Sequence, residues 1–216
     1  MAFPLLLWYF FLTLMRLDNY FLRNHTAMQN LYAYIRQFAD VTPEEFEQMA
    51  GLLETVRCGK KHILTQKGQV EKYLYIINTG LARKFFYKNK EEVITQIAKE
   101  KDLVCSSVSF LSQQPSEYVV ETLEPCTFFA LSYENMQKMY SWGHHMNRLG
   151  RLITLDWLLQ KEQWEHDRLR HEPRERFIRF MNENSDLVQR VQQKYLASYL
   201  NMKPETFSRY KHLLRG

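Results

Sequence analysis

Two side chains near the C-terminus, Glu205 and Arg209, stand four positions apart in "PETFSRYKHLL". On a helix that spacing puts them one turn apart on a single face. A carboxylate there can accept from the amino group of cytosine, and a guanidinium can donate two hydrogen bonds to guanine. The same two groups can also simply neutralise each other. Pro204 and Ser208 share the opening turns with them as further base-facing positions. Lys194, Lys203, Thr206, Lys211 and Arg215 are spaced to meet phosphates around a groove. Phosphate contacts supply affinity, and base-edge contacts supply sequence preference.

Those residues need two short helices to hold them. Leu196, Ala197 and Leu200 fall on one face of a first helix, and Phe207 and Tyr210 on one face of a second. Met202 lies in the turn. Ala197 is small where two helices would cross closely. Asn201 ends the first helix because asparagine tolerates the left-handed conformation, and Pro204 suits the first turn of the second. This is the layout of a helix-turn-helix. Net charge is +5, and residues 166–216 carry all of it, with 11 Lys/Arg against 6 Asp/Glu. A local basic excess is expected where a protein approaches a polyanion, and charge alone equally describes a solvated basic surface.

Other chemistry finds little support. Cys58, Cys105 and Cys126 are odd in number and far apart, which argues against a disulfide framework, a zinc site or a cysteine-ligated cluster. A reducing cytoplasm is the expected compartment. His144 and His145 are adjacent, and His166 and His171 are five apart, so neither gives the i, i+4 pair of a helical metal site. With no nucleophile motif and no phosphate-binding glycine loop, the reading is no enzyme, no metal and no cofactor.

Hydrophobic residues make up 45% and charged residues 25%, as in a globular protein. Residues 1–27 open with 14 apolar positions, "AFPLLLWYFFLTLM". A membrane span needs about 20, so none is expected. Three readings stand: a membrane-surface contact, an extra packed element, or translation from an upstream start. Thr42, Pro43 and Glu45 form a helix start with a capping box. From 57 to 131, "YLYII", "LARKFFY", "EVITQIA", "YVVETL" and "TFFAL" read as strands between turn signals, predicting a sandwich, jelly roll or barrel. From Gly143 to Leu169 a proline-free helix of about 40 Å follows. Leu149, Leu152, Ile153, Leu155, Trp157, Leu158 and Leu159 surround more than one of its faces. It therefore needs partners on two sides: the roll on one and a second copy of the helix on the other, the alternative being burial within one chain.

At this point the chain resembles the Crp/Fnr transcription regulators. "QKYLASYLNMKPETFSRYKHLL" is similar to their terminal helix-turn-helix in its "PETxSR" form. "YLYIINTGLARKFF" and the long helix resemble their cyclic-nucleotide-binding-type roll and dimer helix. The resemblance implies an α+β protein. A double-stranded β-helix (jelly-roll) sensory domain would span 28–141 and a dimerisation helix 142–169. A winged-helix-like DNA-binding head would span 170–216. It implies a homodimer on an approximately palindromic duplex, an unknown small-molecule effector, and RNA polymerase as a candidate partner. The alternative is a signalling or scaffold roll without sequence-specific DNA binding.

Members of that family that bind cyclic AMP carry a Gly-Glu pair and then Arg followed by Ser or Thr. The matching window, Asp102 to Leu123, has no glycine and no basic residue. Ser106 and Ser107 stand near the first pair, and Glu117 and Tyr118 near the second. A buried phosphodiester would lack a cation, and Glu117 would repel it. Calorimetry with cyclic AMP or cyclic GMP should therefore detect no micromolar binding. Micromolar binding with the phosphate held in this window would overturn that expectation.

Overall fold

The computed structural model describes residues 27–213. The apolar extension, except residue 27, and Arg215 lie outside the described residues. The chain divides at Glu47/Gln48 into two compact units. In the first, helix α1 covers 27–35, and α2, Pro43–Ala50, begins. The expected capping box closes: the Thr42 amide donates to Glu45 Oε2 (2.9 Å) and the Glu45 amide to Thr42 Oγ1 (3.2 Å). The Tyr32 ring lies 4.8 Å from that of Phe46, and its hydroxyl donates to the Val41 carbonyl.

The second unit starts with a sandwich of two antiparallel four-stranded sheets. In chain order the strands are β1 (Leu53–Cys58), β2 (Ile63–Thr65), β3 (Tyr73–Thr79), β4 (Ala82–Lys88), β5 (Glu91–Ala98), β6 (Leu103–Val104), β7 (Val119–Thr122) and β8 (Cys126–Ser132). One sheet runs β1-β8-β3-β6, the other β2-β7-β4-β5. All five runs expected to be strands are strands. The β4–β5 hairpin turns at Asn89 (φ 50°) and Lys90 (φ 70°), the two left-handed residues a tight two-residue turn needs. At Gly80 (φ 97°) a β-carbon would lie 2.5 Å from the Pro125 carbonyl oxygen, so the loop before β4 requires glycine. A short helix, α3 (Ser107–Ser112), stands between β6 and β7, inside the stretch expected to be strand-rich.

Helix α4 (Tyr133–Tyr140) starts earlier than the sequence suggests, capped by the Ser132 hydroxyl. The long helix α5 spans His144–Arg170. Gly150 lets α4 and α5 approach: a β-carbon there would fall 2.3 Å from a Tyr140 ring carbon. The faces of α5 divide more sharply than its sequence implies. Leu149, expected as part of the dimer helix, is fully buried within its own chain. Trp157 packs on the roll cluster of Cys105, Phe110, Leu131 and Met136. Leu152 and Ile153 are half-buried. The face left exposed carries Leu155, Leu158 and Leu159. No helix among the described residues is long and apolar enough to cross a membrane.

Four more helices follow: α6 (Pro173–Glu183), α7 (Ser185–Arg190), α8 (Gln193–Tyr199) and α9 (Pro204–Leu213). The wing expected of a winged helix is missing among the described residues, where no strand follows β8. The cause is local: no run after 170 has the period-2 apolar alternation of a half-buried strand. These helices do not form a core of their own. Phe177, Phe180, Leu187, Leu196, Leu200 and Phe207 share one buried cluster with Leu81, Phe85, Ile94, Ile97 and Val119 of the roll. A shared core makes one folding unit. Phe207→Ala should cost about 3–5 kcal/mol and lower a single calorimetric transition of roll and helices together. Two separate transitions, with only one moved, would refute the shared core.

Candidate nucleic-acid interface and effector cradle

The turn between α8 and α9 is built by a Schellman motif. The Met202 amide donates to the Ala197 carbonyl and the Asn201 amide to that of Ser198, both at 3.0 Å. Asn201 takes φ 52°, the left-handed position its side chain tolerates. Pro204 then opens α9. Phe207 is buried, its ring 5.0 Å from that of Phe177 and nearly perpendicular to it, and Tyr210 lies 5.6 Å from Phe177. Anchoring that side turns the other outward. Lys203, Pro204, Glu205 and Arg209 are exposed, while Thr206, Ser208 and Lys211 are half-exposed. Glu205 and Arg209 form no ion pair among the described residues. Lys194 is exposed on α8, 4.8 Å from the Tyr195 ring centre.

Helix α8 is docked on the roll. The Ile94 amide of β5 donates to Ser198 Oγ, and the Ser198 hydroxyl donates to the Glu92 carbonyl, both at 3.0 Å. A serine thus satisfies two backbone groups on the free edge of the outermost strand. Beside it Arg83 of β4, only 3% exposed, lies with its guanidinium carbon 4.1 Å from the centres of both Phe85 and Tyr195. It pairs with Glu92 and Glu121. Farther along, Arg190 of α7 grips Glu100 (2.8 Å) and Glu124 (2.7 Å), and Lys99 pairs with Asp186 (2.9 Å). Neither Ser198 nor Arg83 stood out in the sequence. A lone serine on a helix and an arginine in a strand carry no signal until the two elements meet.

The window matched to the phosphate cassette forms β6, α3 and β7. Ser106 is buried and Ser107 half-buried. Glu117, expected to repel a buried phosphate, points instead to the surface and pairs with Lys67 at 2.8 Å. The bend before β7 explains the correction: the buried Ser116 hydroxyl donates to the Tyr118 carbonyl and accepts from its amide, and Glu117 between them is left exposed. Tyr118 is half-buried. The carboxylate inside the cradle belongs to Glu71, 1% exposed, which the sequence did not single out. Its Oε2 accepts from the Thr65 hydroxyl (2.6 Å) and the Ser106 amide (3.1 Å). Its own amide donates to Ser109 Oγ at 2.9 Å. Burial pushes its pKa up, against the hydrogen bonds from Thr65 and Ser106. The Ser106 amide in this cradle is therefore already engaged by a carboxyl group of the chain itself.

Residues 55–141 match the family model of the cyclic nucleotide-binding domain. FixK2 from Bradyrhizobium japonicum has a similar structure: TM-score 0.64 at 17% identity, over 76% of this chain and 84% of that one. The c-di-GMP responsive global regulator CLP of Xanthomonas campestris gives 0.62 at 17%, over 78% and 89%. A CooA mutant from Carboxydothermus hydrogenoformans gives 0.60 at 16%, over 78% of each chain. At these identities the likeness is one of fold. No curated protein matches the sequence.

The Arg190 clamp has a definite pH signature. Its hydrogen bond to Glu100 holds that carboxyl down at about 2. A carboxyl lowered on folding stabilises above its unfolded value, about 4.3, and loses that contribution as pH falls through the folded one. Between about pH 4 and 2 the wild type should lose stability that Arg190→Ala never had, and at pH 7 the variant should be weaker by about 1 kcal/mol. Parallel acid-unfolding curves for the two proteins would mean the clamp contributes nothing.

Proposed function

We propose that the chain is a sequence-specific DNA-binding transcription regulator of the Crp/Fnr type, acting as a homodimer without enzymatic activity. The observation that carries this reading is the orientation of α9. Its aromatic side is anchored in the core, while Glu205 and Arg209 stand exposed and unpaired with each other at its opening turns. Helices α8 and α9 with their Schellman turn then act as a helix-turn-helix. Pro204, Glu205, Ser208 and Arg209 face base edges, and Lys194, Lys203, Thr206, Lys211 and Arg215 face phosphates. Support also comes from coverage: the structural likeness to FixK2 takes in 76% of the chain, more than the roll occupies.

Dimerisation through α5 follows from its free apolar face, where Leu159 is 67% exposed. A second copy covering Leu155, Leu158 and Leu159 would form a helix pair along a two-fold axis. The two α9 helices would then enter successive major grooves about 34 Å apart, on an approximately palindromic site. An effector in the roll would act by favouring one orientation of the heads over another.

Selection of bound duplexes from a random pool should return such a site. Affinity for it should fall steeply as salt rises. Arg209→Ala should cost about 1–3 kcal/mol on the selected site and relax preference at one base pair per half-site. Equal binding of every duplex by the wild type would instead support a roll used as a scaffold.

A further inference from the structure

Cys58 and Cys126 are far apart in the sequence, but the fold sets them side by side. They are the last pair in the antiparallel register of β1 with β8, one directly opposite the other. Residues so placed share a face of the sheet. Here it is the face turned to the second sheet: Cys126 lies in one cluster with Phe128 and Ala130, and Val56 and Cys58 pack against it. Cys126 is 4% exposed and Cys58 is half-buried, so a reagent from solution meets Cys58 first. Cys105, the third cysteine, is held elsewhere. It packs with Phe110, Leu131 and Met136, and its carbonyl accepts from the buried Lys84 ammonium of β4 at 3.3 Å.

Facing residues on antiparallel strands have α-carbons about 4.5 or 5.5 Å apart, according to the kind of pair, and a disulfide needs about 4.4–6.8 Å. Their β-carbons stand about 4.5–5.5 Å apart, against about 3.5–4.5 Å in a disulfide. The gap that remains is small, and β1 can close it because it is the edge strand of its sheet. A bond held under that tension is readily reduced, so it suits a reversible modification and not a permanent staple. Closing it costs Cys126 the weak hydrogen bond its thiol shares between the Leu81 and Glu124 carbonyls, both at 3.2 Å. Burial pushes both thiols up, Cys126 to about 11. Selectivity among the cysteines therefore comes from placement, and exchange at neutral pH is slow.

We propose that Cys58 and Cys126 are a redox modification site, oxidised by a low-molecular-weight disulfide to a reversible cross-strand disulfide. In the first step Cys58, as thiolate, attacks one sulfur of the small disulfide. A mixed disulfide forms and one small thiolate leaves. In the second step Cys126, as thiolate, attacks the Cys58 sulfur. The protein disulfide forms and the second small thiolate leaves. The two protons lost by the cysteines end on the two released thiols. Two protein thiols are thus oxidised while one small disulfide is reduced. The bond would tie the edge strand to β8, which runs directly into α4. Nothing in this site depends on DNA binding.

The test exposes the folded full chain to oxidised glutathione at millimolar concentration, quenches with acid and alkylates in denaturant. Before alkylation the wild type should be lighter by two hydrogens, and afterwards it should carry a single alkyl group. Peptide mapping should place the bond between Cys58 and Cys126 and the alkyl group on Cys105. Dithiothreitol should restore all three alkylatable cysteines. Cys126→Ala should keep glutathione on Cys58 as a lasting mixed disulfide, because the resolving thiol is gone. Cys58→Ser, at a half-buried position, should form no protein disulfide, and it carries the test should Cys126→Ala fail to fold. Three alkylatable cysteines in the oxidised wild type, glutathione persisting on its Cys58, or a bond made through Cys105 or to a second chain would each overturn the proposal.

Discussion

The arrangement of this molecule depends on one buried cation. Arg83 sits in the middle of a strand, almost out of reach of water, where a lone guanidinium would be prohibitively costly. Two carboxylates from flanking strands, Glu92 and Glu121, answer its charge. The rings of Phe85 and Tyr195 each stand 4.1 Å from its guanidinium carbon. Only the last of these comes from the C-terminal helices. Removing Tyr195 would leave the guanidinium open on one side, so the roll has an electrostatic reason to keep α8 in place. The apolar cluster around Phe177, Phe180 and Leu200 supplies the area, and the Arg83 stack and the Ser198 bridge supply the register.

Much of this was legible in the sequence, for identifiable reasons. The five long strands were readable because each is a run of β-branched or aromatic residues between turn signals. β1, β2 and β6 were not. β1 interleaves Glu54 and Arg57 with its apolar positions, β2 has three residues, and β6 has two, too few for any period to register. Two helix ends were legible because their caps carry their own chemistry, at Thr42 and Asn201; the Ser132 cap of α4, directly after a strand, was not. The faces of α5 were not, because apolar residues surround it and only the fold decides which of them water sees.

The site divides in the same way. The outward positions on α9 follow from the inward ones, since Phe207 and Tyr210 fix the helix rotation. Glu71 was invisible: a glutamate just before a strand ordinarily reads as surface, and only the three-dimensional meeting of Thr65, Ser106 and Ser109 makes it an interior group. Glu117 failed in the opposite sense. Its place in the motif suggested an inward charge, and the bend before β7 leaves it at the surface beside Lys67.

Strand β4 has one more property. Successive residues on it, Arg83 and Lys84, reach opposite sides of the same sheet, the first touching the C-terminal helices and the second the roll interior. Their α-carbons are about 3.8 Å apart. Communication across such a wall needs no chain of intermediaries. A fractional change in the twist of a single peptide plane tilts both side chains at once, like the two ends of a seesaw. The shortest line between the two sides of this sheet is therefore one peptide unit of the backbone itself.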